Sequence, residues 1–98
     1  MSKKFYSVIV YRSVSDEAAL AEYARLVTPL IVKSGGRVIA RGKPLMTFEE
    51  AVPERVTVLE WDNPDQAVGM YRSEQYQAAL ALLEGKIVRD NRLIEGVP

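Results

Sequence analysis

Residues 5–11 read Phe-Tyr-Ser-Val-Ile-Val-Tyr, a run that is apolar on both faces once the chain is extended. β-Branched and aromatic side chains suit a pleated strand, and the run is too short for a typical helix. Tyr6, Val8 and Val10 fall on one side, and Phe5, Ile9 and Tyr11 on the other. Residues 55–61 repeat the pattern, with Val56 and Val58 opposed to Leu59 and Trp61. A sheet of such strands needs cover on both faces, because an antiparallel sheet open to water is polar on its wet side.

The rest of the chain supplies cover for one face. Ser15 is an N-cap candidate ahead of Asp16 and Glu17, whose charges suit a first helical turn. Leu20, Tyr23, Val27, Leu30 and Ile31 then recur at helical spacing. Pro29 is expected to kink or restart that helix, and Gly35-Gly36 to end it. Residues 37–42 read as a second strand, and residues 43–54, with two prolines and three glutamates, as a loop. Asn63-Pro64-Asp65 opens a second helical region through Ala67, Val68 and Tyr71. Ser73 caps its continuation, in which Tyr76, Ala79, Leu80 and Leu83 form the inward stripe, and residues 92–95 read as the last strand. The order β-α-β-β-α-β specifies an α+β, ferredoxin-like subunit of one domain over residues 1–98. Its four-stranded antiparallel sheet carries the helices on one face. The other face calls for a second copy, hence a homodimer.

The chain has no cysteine and no histidine. That excludes disulfides, thiol nucleophiles, Ser-His-Asp triads, His-ligated haem and the usual zinc sites. Thirteen Lys and Arg balance thirteen Asp and Glu, which gives no basic excess for nucleic acid. Gly35, Gly36 and Gly42 precede or end a strand rather than open a helix, unlike a dinucleotide fingerprint. No metal or other cofactor is therefore expected. The apolar run after Met1-Ser2-Lys3-Lys4 is too short for a signal peptide or a membrane span, so a cytoplasmic protein is expected.

Four segments in register carry a resemblance: Gly35-Gly36-Arg37-Val38-Ile39-Ala40-Arg41-Gly42, Arg55-Val56-Thr57-Val58-Leu59-Glu60-Trp61, Tyr71-Arg72-Ser73-Glu74-Gln75-Tyr76 and Glu95-Gly96-Val97. Over nearly its whole length the chain resembles the family catalogued as domain of unknown function 1330. The resemblance implies a dimeric α/β barrel, two ferredoxin-like subunits packed sheet against sheet. Proteins of that architecture include cofactor-free monooxygenases of polyketide quinones, muconolactone isomerases and haem-dependent enzymes; the missing histidine argues against the last. Departures from the family pattern are Trp61 where phenylalanine is common, no proline after Ser73, and Leu83 where arginine is frequent.

Candidate chemistry centres on charged residues of the middle strands. Alternation puts Arg37 and Arg41 on one face with Ile39 between them; one antiparallel register would place Arg37 opposite Glu60 and Ile39 opposite Val58, and a shift of one residue would separate them. Glu60 and Arg41 are the candidate catalytic residues if they face the mostly apolar cavity that the dimer encloses: a carboxylate there has a raised pKa, and an arginine offers a rigid fork to a carboxylate or enolate. Arg37, Trp61, Tyr71, Ser73 and Tyr76 are candidate ligand-binding residues. Each also has a structural reading: a strand ion pair for Arg37 and Glu60, core packing for Trp61 and the tyrosines, and an N-cap for Ser73. Two functions fit, a cofactor-independent isomerase or monooxygenase acting on a small organic molecule, or a non-catalytic module for a small apolar or aromatic ligand.

Overall fold

The N-terminal apolar run becomes strand β1 (Phe5–Val14) of a computed structural model that describes residues 3–98. Met1 and Ser2, which begin the segment weighed as a signal peptide, lie outside the described residues. Helix α1 (Glu17–Lys33), strands β2 (Arg37–Gly42) and β3 (Val56–Trp61), helices α2 (Pro64–Tyr71) and α3 (Glu74–Leu80), a 3₁₀ turn at Ala81–Leu83 and strand β4 (Ile87–Glu95) follow. The strands form one antiparallel sheet in the order β2-β3-β1-β4. The ferredoxin-like plan is thus present, with its second helical region broken into α2, α3 and the turn.

The helices cover the face that carries Ser7, Ile9, Tyr11, Thr57, Leu59 and Trp61, all buried, against Leu20, Tyr23, Val27 and Ile31 of α1. Trp61 lies beneath the end of α1, where Gly36 makes room for it. A Cβ on Gly36 would stand 2.8 Å from the Trp61 ring and 2.9 Å from Ile31 Cγ2. The opposite face, with Tyr6, Val8, Val10, Val56, Val58 and Ile94, has no helix on it. Val10 and Ile94 are 37% and 51% exposed, and the subunit is a slab of 40 × 35 × 16 Å.

Four local readings are corrected. Asp16, not Ser15, caps α1 by accepting from the Ala19 N–H, while the Ser15 hydroxyl donates to the Lys86 carbonyl. The helix α1 runs through Pro29 without a restart; Pro29 and Arg25, whose carbonyl loses its donor, are both on the exposed side, where water can replace the bond. Strand β4 begins at Ile87 rather than at residue 92, because its polar residues are satisfied by side-chain partners instead of marking a loop. Finally, β2 pairs Arg37 with Glu60 and Val38 with Leu59, then Ala40 with Val58 and Arg41 with Thr57. Ile39 is the extra residue of a β-bulge, so Val58 faces Ala40, and Arg41 moves to the helix side of the sheet.

Candidate functional site

The bulge delivers Arg41 to a cavity of about 40 Å³ between the sheet and α1, where it meets Arg55 and Arg89. Alternation along β4 aims Arg89 inward, since it pairs with Tyr11 on the helix face of β1. Its guanidinium donates to the hydroxyls of Tyr11 at 2.8 Å, Tyr23 at 2.9 Å and Tyr76 at 3.2 Å. The Tyr23 and Tyr76 hydroxyls lie 2.9 Å apart, and Arg89 also sits over the rings of Tyr11 and Tyr23 at 5.3 and 4.9 Å from their centroids. Such cation–π contacts supplement the hydrogen bonds without neutralising the charge. Among the described residues, neither Arg89 nor Arg41 forms an ion pair; Arg41 donates to the Thr28 hydroxyl at 3.3 Å.

Burial pushes the Tyr23, Tyr71 and Tyr76 hydroxyls above the ordinary tyrosine range. They are neutral hydrogen-bonding groups at neutral pH, and the arginines beside them are permanently charged. No aspartate, glutamate or lysine lines the cavity among the described residues. The site therefore offers positive charge and hydroxyls to a ligand oxygen, but no side chain that is a base near pH 7.

Glu60 lies outside this cavity, on the face where the dimer cavity expected from the sequence would form. On the open face of the sheet its carboxylate accepts from Arg37 Nε at 3.0 Å and from the Tyr6 hydroxyl at 2.9 Å. Arg37 also reaches Asp62 at 3.2 Å, and Lys4 pairs with Asp62. The Arg37 hydrogen bond, then that of Tyr6, holds the Glu60 carboxyl below its ordinary range, opposite to the rise a cavity base would show. Glu60 and Arg41 thus stand on opposite faces and do not form one constellation. Of the other candidates, Tyr71 and Tyr76 line the cavity, and Arg37, Trp61 and Ser73 do not. Trp61 is fully buried and donates to Ser7 Oγ at 3.0 Å, as Tyr71 does at 2.8 Å. Ser73 caps α3, accepting from the Tyr76 N–H and donating to the Met70 carbonyl.

The family model of domain of unknown function 1330 (DUF1330) matches residues 4–97. The chain belongs to that family. No curated protein matches it. Among solved structures it is similar to RPA0582 of Rhodopseudomonas palustris, a protein of unknown function: 22% identity, TM-score 0.75, covering 100% of this chain and 84% of that one. A dimeric ferredoxin-like protein of unknown function from Thermobifida fusca matches at 13% identity and TM-score 0.65, over 100% of this chain and 93% of that one. A candidate antibiotic biosynthesis monooxygenase from Nitrosomonas europaea matches at 15% identity and TM-score 0.61, over 99% and 94%. At these identities the likeness establishes the ferredoxin-like fold.

Within this DUF1330 chain, the residues that sequence reasoning passed over are Tyr11, Arg41's true face, Arg55 and Arg89. Arg89 sits in the polar stretch Arg89-Asp90-Asn91, which hides a strand. A signal was available in hindsight: Ile87, Arg89, Asn91 and Leu93 alternate, and continuing the last strand upstream would have aimed Arg89 at the helices. The Leu83 departure falls in the 3₁₀ turn, where its side chain is buried in the core.

Proposed function

We propose that this DUF1330 protein is a cytoplasmic homodimer, packed sheet against sheet, whose subunits each bind a small organic molecule in the cavity between sheet and helices. One observation carries the binding site. Arg89 is a half-buried cation held by three tyrosine hydroxyls, facing a cavity with no carboxylate to balance it. Folding alone gains little from a charge placed so; an electron-rich ligand oxygen would complete its surroundings. The dimer is supported by the bare apolar face, by Leu45, Met46 and Phe48 exposed on the β2–β3 loop, and by the dimeric state of the Thermobifida relative. The cytoplasmic placement rests on the sequence reading alone.

The cavity holds about 40 Å³, room for only a few waters at roughly 10–15 Å³ each, so its ligand is compact or enters as α1 and α3 yield. Because nothing lining it is a base near neutral pH, any reaction here starts from a substrate that is already acidic or ionised, an enolate or phenolate type. The name of the Nitrosomonas relative, a candidate monooxygenase, supports an oxygenation; the isomerisation reading rests on the sequence resemblance alone. A non-catalytic binding module needs only the same contacts.

The test is retention. The purified dimer is incubated with a metabolite extract, desalted and analysed by native mass spectrometry. A small molecule retained by the wild type and by Glu60→Gln, but lost in Arg89→Met, is the expected result. Equal retention by Arg89→Met, with loss in Glu60→Gln, would move the site to the open face.

A further inference from the structure

The lining of the cavity holds a second anomaly. Arg55 Nε is buried without a hydrogen-bond partner, the one such side-chain atom among the described residues. Its position is fixed from both sides of the backbone, because the Arg55 N–H donates to Glu54 Oε1 at 3.0 Å and its carbonyl accepts from the Tyr11 N–H at 3.1 Å. The outer end of the guanidinium, Nη2, stands 3.6 Å from Glu17, a mostly exposed carboxylate. Nε itself is closed off from solvent, while the Arg55 side chain as a whole contributes to the cavity lining. Leaving such a donor unpaired costs its full desolvation, which is why nearly all buried donors are paired. Arg41, exposed and, unlike Arg55, without an ion-pair partner among the described residues, lines the same cavity.

We infer that the ligand carries a carboxylate, which docks on the fork of Arg55 with Arg41 beside it, leaving Arg89 and its tyrosines for a second oxygen of the same molecule. The inference rests on the proposed binding cavity and adds the class of its ligand: a compact carboxylic acid with a keto, enol or hydroxyl oxygen. A planar carboxylate matches a guanidinium fork through two parallel hydrogen bonds, and phosphate, which an arginine fork also takes, is the competing anion that the test separates.

The probes are pyruvate and 4-hydroxybenzoate, each beside its neutral amide, with inorganic phosphate as a separate arm. Binding is followed through the arginine Nε–Hε correlations and the tyrosine ring signals of isotope-labelled dimer. The expected result is a saturable shift of the Arg55 Nε–Hε signal with an acid and not with its amide. Binding read at Arg89 should weaken about tenfold or more in Arg55→Gln and in Arg55→Lys, which keeps the charge but loses the fork. Arg12→Gln, a surface control, should change nothing. Three results overturn the inference: amides that shift Arg55 as the acids do, phosphate that binds more tightly than either acid, or acids that leave Arg55 unmoved. If amides shift Tyr23 and Tyr76 while the acids leave Arg55 unmoved, the carboxylate inference fails and the cavity reading stands. If no probe moves any cavity signal, both fail.

Discussion

Ser7 shows how much can rest on one small side chain. It is fully buried between the Trp61 indole N–H and the Tyr71 hydroxyl, and both donate to its Oγ. Ser7→Ala should cost about 1–3 kcal/mol by chemical denaturation, because it strands the Trp61 donor in the core. Glu60 makes the opposite point about charge. Its carboxyl titrates below the ordinary glutamate range because Arg37, then Tyr6, hydrogen-bonds the ionised form. A folded pKa below the unfolded one means a stabilising contribution that is complete above the unfolded value and lost as pH falls through the folded one. Carbon-detected NMR titration should find the Glu60 midpoint depressed, and Arg37→Met should return it toward normal. A midpoint that does not move would break the assignment. The tyrosines have the reverse sign. Burial raises Tyr23, Tyr71 and Tyr76, so their contribution is complete below about pH 10, the unfolded value, and lost as pH rises toward their folded values. Stability should fall on that alkaline limb, less steeply in Tyr23→Phe. Tyr23 and Tyr76 were legible in the sequence because helical spacing aims them inward. That their hydroxyls meet on Arg89 was not, because the meeting joins residues far apart in the chain.

Elements were legible where period and punctuation agreed. Asn63 and Pro64 announce α2, and the structure adds a capping box in which Gln66 returns a bond to the Asn63 N–H. The Gly35-Gly36 pair ends α1 as read, but only the structure explains the second glycine. Gly36→Ala would press a methyl into Trp61 and Ile31, and thermal melts should show a loss of about 1–3 kcal/mol, the usual range for an overpacked core. A neutral effect would mean that the helix end and the Trp61 ring can part freely. The bulge at Ile39 is what sequence alternation could not foresee. Simple period-two counting puts Arg37 and Arg41 together, and one extra residue separates them, giving Arg37 to the open face and Arg41 to the cavity. The catalytic pairing of Glu60 with Arg41 failed on that single insertion, while the opposition of Arg37 and Glu60, which lies before it, survived.

At the scale of the molecule, the apolar pattern of β1 and β3 forecast a sheet with one bare face, and the slab has one. If a second copy covers it, sedimentation at micromolar concentration should show a dimer, and Val8→Glu with Val58→Glu should yield an 11.0 kDa monomer. A wild-type monomer throughout that range would leave the bare face unexplained. Such a dimer has two enclosed regions in which a small molecule could sit, between the sheets or between each sheet and its helices. The binding site proposed above, with Arg89, Tyr23 and Tyr76, is the second of these. Intermolecular nuclear Overhauser effects from the molecule the protein retains decide between them directly. The account predicts contacts to the ring protons of Tyr23 and Tyr76 and none to the methyls of Val8 and Val58; contacts to those methyls, with the tyrosine rings silent, would contradict it.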